Sequence, residues 1–297
     1  MDIKKLITEK RPNLKENSLN SYLITLRRLN ENQEVMNLKF LKDTENIMNQ
    51  INEFKLPTQR NKLTAILVVL SAFNKKEFDD VELYYRKQLE DRNQQYTEYI
   101  NSHEKSEKQE KNWVSLDVLK KIMRKYKKEA MENPNIKTVQ KYLVSALYLL
   151  QPPKRLDFSN MKIIETRKED NGKNNFMLNL GRNKKYFIFN EFKTDKSQGS
   201  KEVLINKELN SIINMWLKVN KSDDFLLNNR GQPMSSNSLG KYITKIFEPS
   251  GKSITLNLLR NIFVTENIDL EAVQKAKNMA DMMDHSESTQ KTVYLKK

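Results

Sequence analysis

The sequence predicts a mainly helical α+β protein with a small three-stranded antiparallel sheet. Apolar residues recur with a helical period over the first hundred residues and again after residue 207. Between these regions, residues 176–206 change to the pattern of β-strands. A charged stretch of very low apolar content, 101–112, separates the first helices from the rest. We therefore expect two domains, 1–104 and 113–297, joined by a linker over 105–112.

Four helices are expected in the first domain. The first covers 17–30, where one helical face carries Leu19, Tyr22, Leu23, Leu26 and Leu29. The pattern repeats over 38–53, and Pro57-Thr58 opens a third helix that is almost wholly apolar in its second half. A fourth helix is expected over about 79–100. Four short helices in this length are typical of a compact helical domain.

The second domain begins with two helices, one capped by Ser115 and an apolar one over 139–150 that Pro152-Pro153 ends. The segments NFMLNL and YFIFNEF flank GRNKK and predict a hairpin, to which KEVLIN adds a third strand. Residues 207–297 return to helix, in the segments KELNSIINMWLKV, NSLGKYITKIF, LNLLRNIFVTEN and a last stretch around 271–283.

Composition limits the classes of function. The net charge is +15, and a field of that size favours a polyanionic partner, although a solvated lysine-rich surface would also produce it. The chain has no cysteine and two histidines, which excludes a thiolate metal site and argues against a histidine-based one. We therefore expect no metal and no cofactor. Without a run of eighteen apolar residues or a signal peptide, the chain is expected to be soluble and intracellular.

Four short stretches of the second domain carry the candidate catalytic residues. PPKRLDFSNMKI contains Arg155, and FNEFKTDKSQG places Lys193 in the turn after a strand. ITLNLLRNIFVTE places Arg260 on a helix, and MMDHSESTQKTVYLKK contains His285 and Tyr294. Each residue alone has an ordinary structural explanation, such as a surface aromatic, a helix-end cap or a salt-bridged helix residue.

In this order and spacing the four stretches resemble those of the tyrosine recombinases, the phage integrase family. That family carries an Arg, a hairpin Lys, a His-x-x-Arg pair, a His or Trp, and a nucleophilic Tyr near the C-terminus. LLRNIFVTE is similar to its Leu-Arg-His-x-Phe-x-Thr segment, and MMDHSESTQKTVYL to its Met-Gly-His-Ser…Thr-x-x-Tyr segment. The resemblance implies a helical, SAM-like core-binding domain that contacts DNA, followed by a catalytic domain.

The resemblance also implies a role for each residue. Tyr294 would attack a DNA phosphorus atom and form a covalent 3′-phosphotyrosine. Arg155 and Arg260 would bind the non-bridging oxygens, and His285 would donate one further hydrogen bond. Lys193 would protonate the leaving 5′-oxygen. Such a reaction needs no metal.

Two positions depart from the family pattern. Asn257 stands where the family has the first His of His-x-x-Arg, and an amide can bind phosphate but cannot shuttle a proton near neutral pH. The acidic residue that follows the family's first Arg has Asp157 as its nearest counterpart. The lysine assignment also has an alternative, because Lys196 follows three residues after Lys193.

The most direct prediction is a site-specific DNA recombinase or integrase of a virus or mobile element, active as a tetramer on paired duplex sites and associated with DNA in the host cytoplasm or nucleus. Alternatives are a type IB topoisomerase and a catalytically decayed DNA-binding protein of the same fold. Expected DNA contacts, for which a solvated basic face is the competing explanation, are Arg27, Arg28, Arg60, Lys62, Lys196 and Lys241.

Overall fold

A computed structural model describes residues 2–295 of the chain. The chain divides into two compact units, the first ending at Glu104 and the second beginning at Lys105. Within the described residues, no helix is both long enough and apolar enough to cross a membrane.

The first unit is helical. Its helices are α1 (Ile3–Lys10), α2 (Glu16–Leu29), α3 (Thr44–Asn52), α4 (Leu56–Phe73) and α5 (Asp79–Asn101). Helix α1 was not expected, and the helix expected over 38–53 is divided into a 3-10 turn, Lys39–Lys42, and α3. The division falls at Asp43, whose carboxylate accepts a hydrogen bond from the Asn46 amide and so starts a new helix.

Helix α4 occupies the centre of the first unit. Its second half has buried residues on all sides, among them Ile66, Val69 and Leu70, and the helix packs against the other four helices of the unit. A helix that is apolar all round must be covered on all sides, which explains why the remaining helices surround it.

Eight of the helices in the described residues belong to the second unit and lie before, within and after its sheet. They are α6 (Glu107–Asn112), α7 (Leu116–Glu132), α8 (Ile136–Leu149), the short α9 (Asp195–Gln198), α10 (Lys207–Val219), α11 (Ser236–Ile246), α12 (Leu256–Asn267) and α13 (Leu270–Met282). A ninth, the single turn α14 (Glu287–Thr289), runs into a π-helical turn, Gln290–Tyr294. Helix α6 occupies part of the stretch expected to be a linker, and a capping box at Ser106 and Gln109 starts it.

The expectation of three antiparallel strands is wrong, because the sheet has four strands and is mixed. Its strands are β1 (Lys162–Ile164), β2 (Phe176–Asn179), β3 (Lys185–Phe189) and β4 (Lys201–Leu204), in that spatial order. The predicted antiparallel pairs β2–β3 and β3–β4 are present, with Met177 opposite Phe187 and Phe187 opposite Val203. Strand β1 pairs with β2 in parallel. It has only three residues, too few to show an alternating pattern in the sequence.

The two faces of the sheet contact different apolar groups. Met177, Phe187 and Phe189 face the main core, which the helices of the unit complete. Phe176, Leu178, Ile188 and Ile164 form a separate cluster on the opposite face. This division follows from the two-residue period of the strands. The sheet is therefore fixed against the helical core along one face.

Candidate active site

The loop that carries Arg155 is held by its neighbours rather than by the arginine itself. The Tyr148 hydroxyl, at the end of α8, donates a hydrogen bond to the Arg155 carbonyl oxygen at 2.9 Å. Three residues later the Phe158 ring is fully buried and packs against the rings of Tyr148, Phe187, Phe189 and Phe225. The backbone of Arg155 is thus fixed while its side chain lies at the surface.

Asn175 joins this loop to the turn that carries Lys193. Its side-chain amide donates to the carbonyl oxygens of Asp157, at 2.9 Å, and of Glu191, at 2.8 Å. Its side-chain oxygen accepts from the backbone amides of Asn190 and Glu191 at 2.9 and 2.8 Å. Because all four contacts are to main-chain atoms, this one buried side chain sets the spacing between two loops that are distant in sequence.

Asp157 brings a third segment into the group. Burial raises the pKa of its carboxyl above the ordinary value of 3.8. A hydrogen bond from the Arg155 backbone and the positive charges of Lys154, Arg155 and Arg260 oppose that rise in pKa. Arg260 follows Arg155 by more than a hundred residues, so the fold brings two guanidiniums from separate segments close to one carboxylate.

Helix α12 positions Arg260 and Asn257. The Thr255 hydroxyl accepts a hydrogen bond from the Leu258 amide and begins the helix, while Leu258 and Ile262 anchor it in the core. Asn257 is exposed and lies one turn before the half-buried Arg260, so both residues lie on the same helical face. An amide at this position can donate to an anion that Arg260 binds.

His285 and Tyr294 form a second pair near the C-terminus. Their rings are stacked, with centroids 5.0 Å apart and planes inclined by 20°. The Nδ1 atom of His285 lies 3.2 Å from the Ser286 carbonyl oxygen, and Nε2 is buried without a hydrogen-bond partner. If Nδ1–H donates to that carbonyl, Nε2 can donate to a ligand only when the ring is an imidazolium.

The structure thus gives two groups of predicted site residues. Arg155, Arg260 and the Lys193 turn meet around Asp157 and Asn175, and Tyr294 pairs with His285. Within residues 2–295, no hydrogen bond, ion pair or ring contact joins the two groups. Tyr294 is 57% exposed.

The predicted turn lysines are at the surface. Lys193 lies in the turn between β3 and α9, and Lys196 lies within α9. Both have exposed side chains. In the described part of the chain, no group of three His, Asp or Glu side chains is arranged to hold a metal ion.

The candidate DNA contacts of the first unit differ in environment. Arg27 and Arg28 are exposed on α2, and the Nε atom of Arg27 donates to the Asn32 carbonyl oxygen. The Arg60 guanidinium stacks 4.0 Å from the centre of the Tyr96 ring and donates to the Asn93 side chain. These contacts hold the guanidinium of Arg60 in one orientation.

Lys62 is the least exposed candidate in the first unit. It is 7% exposed, and its amine lies 4.2 Å from the centre of the Phe54 ring. Burial, with the nearby charge of Arg28, lowers its pKa. Two cations near each other are favourable where an anion is bound between them.

Asn175 was not among the candidate site residues predicted from the sequence. Its signal in the sequence is a polar amide directly before the apolar strand FMLN. The same amide type is common in turns, so the signal is weak without the structure.

Comparison with known proteins yields little. No protein-family model matches the chain, and no curated protein matches it in sequence. Among solved structures, the chain is similar to XerA recombinase, with a TM-score of 0.35 and 12% identity over 98% of this chain and 91% of that one. A likeness at this TM-score supports no inference about function, so a functional proposal depends on the site itself.

Proposed function

We propose that this protein is a tyrosine-type site-specific DNA recombinase that cuts and rejoins DNA through a covalent 3′-phosphotyrosine. The observation that supports this most is the meeting of three segments at Asp157: the Arg155 loop, the Lys193 turn joined to it through Asn175, and Arg260 on α12. Asn175 thereby ties the turn that carries Lys193 to the Arg155 loop, and the charges of Arg155 and Arg260 both act on Asp157.

This charge arrangement suits a phosphodiester in its transition state. The pentacoordinate phosphorus gathers negative charge on its non-bridging oxygens, and planar guanidiniums bind such oxygens in a fork. In the proposal, Asp157 orients Arg155 and Arg260, and Asn257 donates to the same phosphate. Each such donor is typically worth about 3–4 kcal/mol of transition-state stabilisation.

The covalent step uses the exposed phenol. The Tyr294 phenol loses its proton to solvent water as its oxygen attacks phosphorus. The bond from phosphorus to the 5′-oxygen breaks, and the Lys193 ammonium gives its proton to that oxygen. The ester keeps the energy of the broken bond, so a 5′-hydroxyl can reverse the step without ATP. The His285 ring, which stacks on Tyr294 in the free chain, donates to the phosphate once Tyr294 moves toward the Asp157 group.

Binding of the duplex completes the proposal. Six cationic side chains would contact phosphates of the duplex: Arg27, Arg28, Arg60 and Lys62 in the first unit, and Lys196 and Lys241 in the second. Four copies would act on two paired sites, as expected for recombination in a virus or mobile element. Phosphate contacts of this kind make affinity fall steeply with salt concentration.

The test uses nicked duplexes with a randomised sequence around the nick, which trap a covalent intermediate because the cut fragment diffuses away. Denaturing gels should show a DNA adduct with the wild-type protein and none with Tyr294→Phe. Tyr99→Phe, at a partly exposed tyrosine of the first unit, is the matched control and should form adduct normally. Sequencing the trapped DNA would give the target site.

The two alternative hypotheses, a type IB topoisomerase and a catalytically decayed DNA-binding protein, predict different outcomes. Exchange between two trapped sites supports the recombinase, whereas adduct with sequence-blind relaxation of supercoiled plasmid supports a type IB topoisomerase. DNA binding without adduct supports a decayed protein of the same fold. Adduct formation by Tyr294→Phe would contradict the assignment of the nucleophile.

A further inference from the structure

A basic groove of about 840 Å³ lies on the second unit, and none of its lining residues belongs to the candidate active site. Helices α8 and α11 and the loop 228–234 line it. On α8 the groove uses Lys137 and Lys141 in the first half of the helix, whereas Arg155 follows the opposite end. With a rise of about 1.5 Å per residue, Lys141 lies roughly 12 Å along the axis from the end of α8 at Leu149.

The walls of the groove are fixed. The buried Gln140 side chain donates to the Leu227 carbonyl oxygen and accepts from the Leu227 amide, both at 2.8 Å, which ties the loop to α8. The Tyr126 hydroxyl donates to the Ile246 carbonyl oxygen at 2.5 Å, which ties α7 to the end of α11. A pre-formed cavity binds a ligand without first having to order its own side chains.

Five cationic side chains and a single acidic one, that of Glu248, line this groove. The cationic residues are Lys137, Lys141, Arg230, Lys241 and Lys245. Lys137 and Lys141 are four residues apart on α8, and Lys241 and Lys245 are four residues apart on α11. Like charges at this spacing destabilise a helix. In the described residues, none of the five forms an ion pair. The fold therefore carries a local electrostatic cost that a bound anion would offset.

The floor of the groove is apolar. Tyr126, Met234 and Ile246 are buried there, and the Lys141 amine lies 5.4 Å from the centre of the Tyr126 ring. Tyr242 also lines the groove, and burial raises the pKa of its phenol to about 12. A groove with cations at its edge and aromatic rings at its base suits a ligand with an anionic end and a flat apolar body.

We propose that this groove binds a nucleotide, with the phosphate groups on the lysine pairs of α8 and α11 and the base against the apolar floor. Its volume lies within the range of roughly 300–1,000 Å³ that small-molecule sites occupy. The site is separate from the proposed chemistry, because it shares no residue with the group around Asp157. It contains one of the proposed DNA contacts, Lys241, so competition with a duplex is part of its test.

Titration calorimetry on the full chain at low salt, with ATP as the probe, tests the proposal. Saturable binding at one site is expected, with affinity decreasing from ATP to AMP as charge is lost. The double variant Lys141→Gln/Lys245→Gln should weaken ATP binding at least about tenfold. The matched control Lys218→Gln/Lys221→Gln removes the same charge from exposed lysines outside the groove and should bind ATP as the wild type does.

Two outcomes would overturn the proposal: no saturable binding, or equal affinity in the groove variant and the wild type. Competition with DNA tests whether the groove instead binds the phosphates of a duplex. If a short DNA duplex displaces ATP, and the groove variant loses duplex affinity in parallel, the groove belongs to the DNA interface and the nucleotide assignment fails. Tyr294→Phe should bind ATP normally, so this result does not depend on the proposed strand cleavage.

Discussion

The imidazole of His285 and the phenol of Tyr294 lie nearly parallel, 5.0 Å between ring centroids, so the proposed nucleophile rests against a proposed phosphate ligand in the free chain. An aromatic pair of this kind contributes about 0.5–1.5 kcal/mol. That is small beside the binding of a phosphodiester by several charged donors, so DNA can displace the stack. The stack therefore opposes movement of the Tyr294 ring only weakly.

Substitution of His285 separates stacking from hydrogen bonding. His285→Phe keeps an aromatic face but no donor, and His285→Ala removes both. Adduct formation should fall about 10²–10³-fold in both variants, because the donor to the phosphate is lost. Chymotrypsin should cut at Tyr294 faster only in His285→Ala, where the ring is unsupported. Normal adduct formation by His285→Phe would show that the ring nitrogens take no part.

Removal of the Asn175 side chain should loosen the contact between the Arg155 loop and the Lys193 turn. Asn175→Ala leaves four main-chain groups without their partner and should lower the free energy of unfolding by about 2–3 kcal/mol. Tryptophan fluorescence measures this change in the second unit, which contains both tryptophans of the chain.

Activity provides the second measurement for Asn175. At a temperature where the variant is folded, adduct formation should still be reduced, since the two loops no longer hold a fixed spacing. The control is Asn174→Ala, because the Asn174 side chain makes no hydrogen bond in the described residues. Full activity of Asn175→Ala would show that the junction serves stability alone.

The raised pKa of Asp157 predicts a pH dependence of stability. Between the ordinary value of 3.8 and the raised value, the folded state binds more protons than the unfolded state. Stability from this group is therefore lost as pH rises through that window. Relative to wild type, Asp157→Asn should gain free energy of unfolding from pH 3.8 toward neutral pH, as measured by urea titration at a series of pH values.

The exposed Asp223 provides the comparison. Asp223→Asn should follow the wild-type curve, and a wild-type curve parallel to that of Asp157→Asn would contradict the assignment. Arg260→Gln removes one of the charges that oppose the rise in the pKa of Asp157, so it should move the window to higher pH.

A substrate with a different leaving group shows whether Lys193 or Lys196 is the general acid. Lys193→Met should abolish cleavage of an ordinary phosphodiester, because the 5′-oxygen then leaves unprotonated. A substrate with sulfur in place of that oxygen needs no proton donor and should restore adduct formation. Lys196→Met should cleave both substrates. If Lys196→Met instead fails on the ordinary substrate and is restored by the sulfur substrate, the general acid is Lys196.

Asn257→His tests the position at which the chain differs from the pattern of the tyrosine recombinases. The position is exposed on the same helical face as Arg260, so a larger ring fits without displacing core residues. Rates of adduct formation should equal or exceed those of the wild type. A collapse of cleavage would show that the amide has a role of its own, such as a donor whose geometry imidazole does not reproduce.

The sequence predicted the long helices because their apolar residues repeat with a clear period, as in α4. It missed α1, which buries only Ile3 and Ile7, and β1, whose three residues form a strand only because β2 lies beside them. Both elements depend on tertiary contacts that local pattern does not contain.

For the site, the sequence supplied residue types and their order, through resemblance rather than through local physics. It could not predict the role of Asn175, because the four atoms that this side chain contacts are main-chain atoms of Asp157, Asn190 and Glu191, which are distant from Asn175 in the sequence. Nor could it show the stack of His285 on Tyr294, which follows from the turn after α13.

The fully buried amine of Lys185 fixes one end of β3. It donates to the carbonyl oxygens of Gly181 and Arg182 and to the side-chain oxygen of Asn214 on α10. The opposite end of the strand leads to the exposed turn of Lys193. A five-residue strand is an arm of roughly 16 Å. Because β2 and β4 pair with β3 on both sides, the strand can tilt only together with the sheet, and a tilt of about 10° around the anchored end would move its far end by about 3 Å, a full hydrogen-bond length.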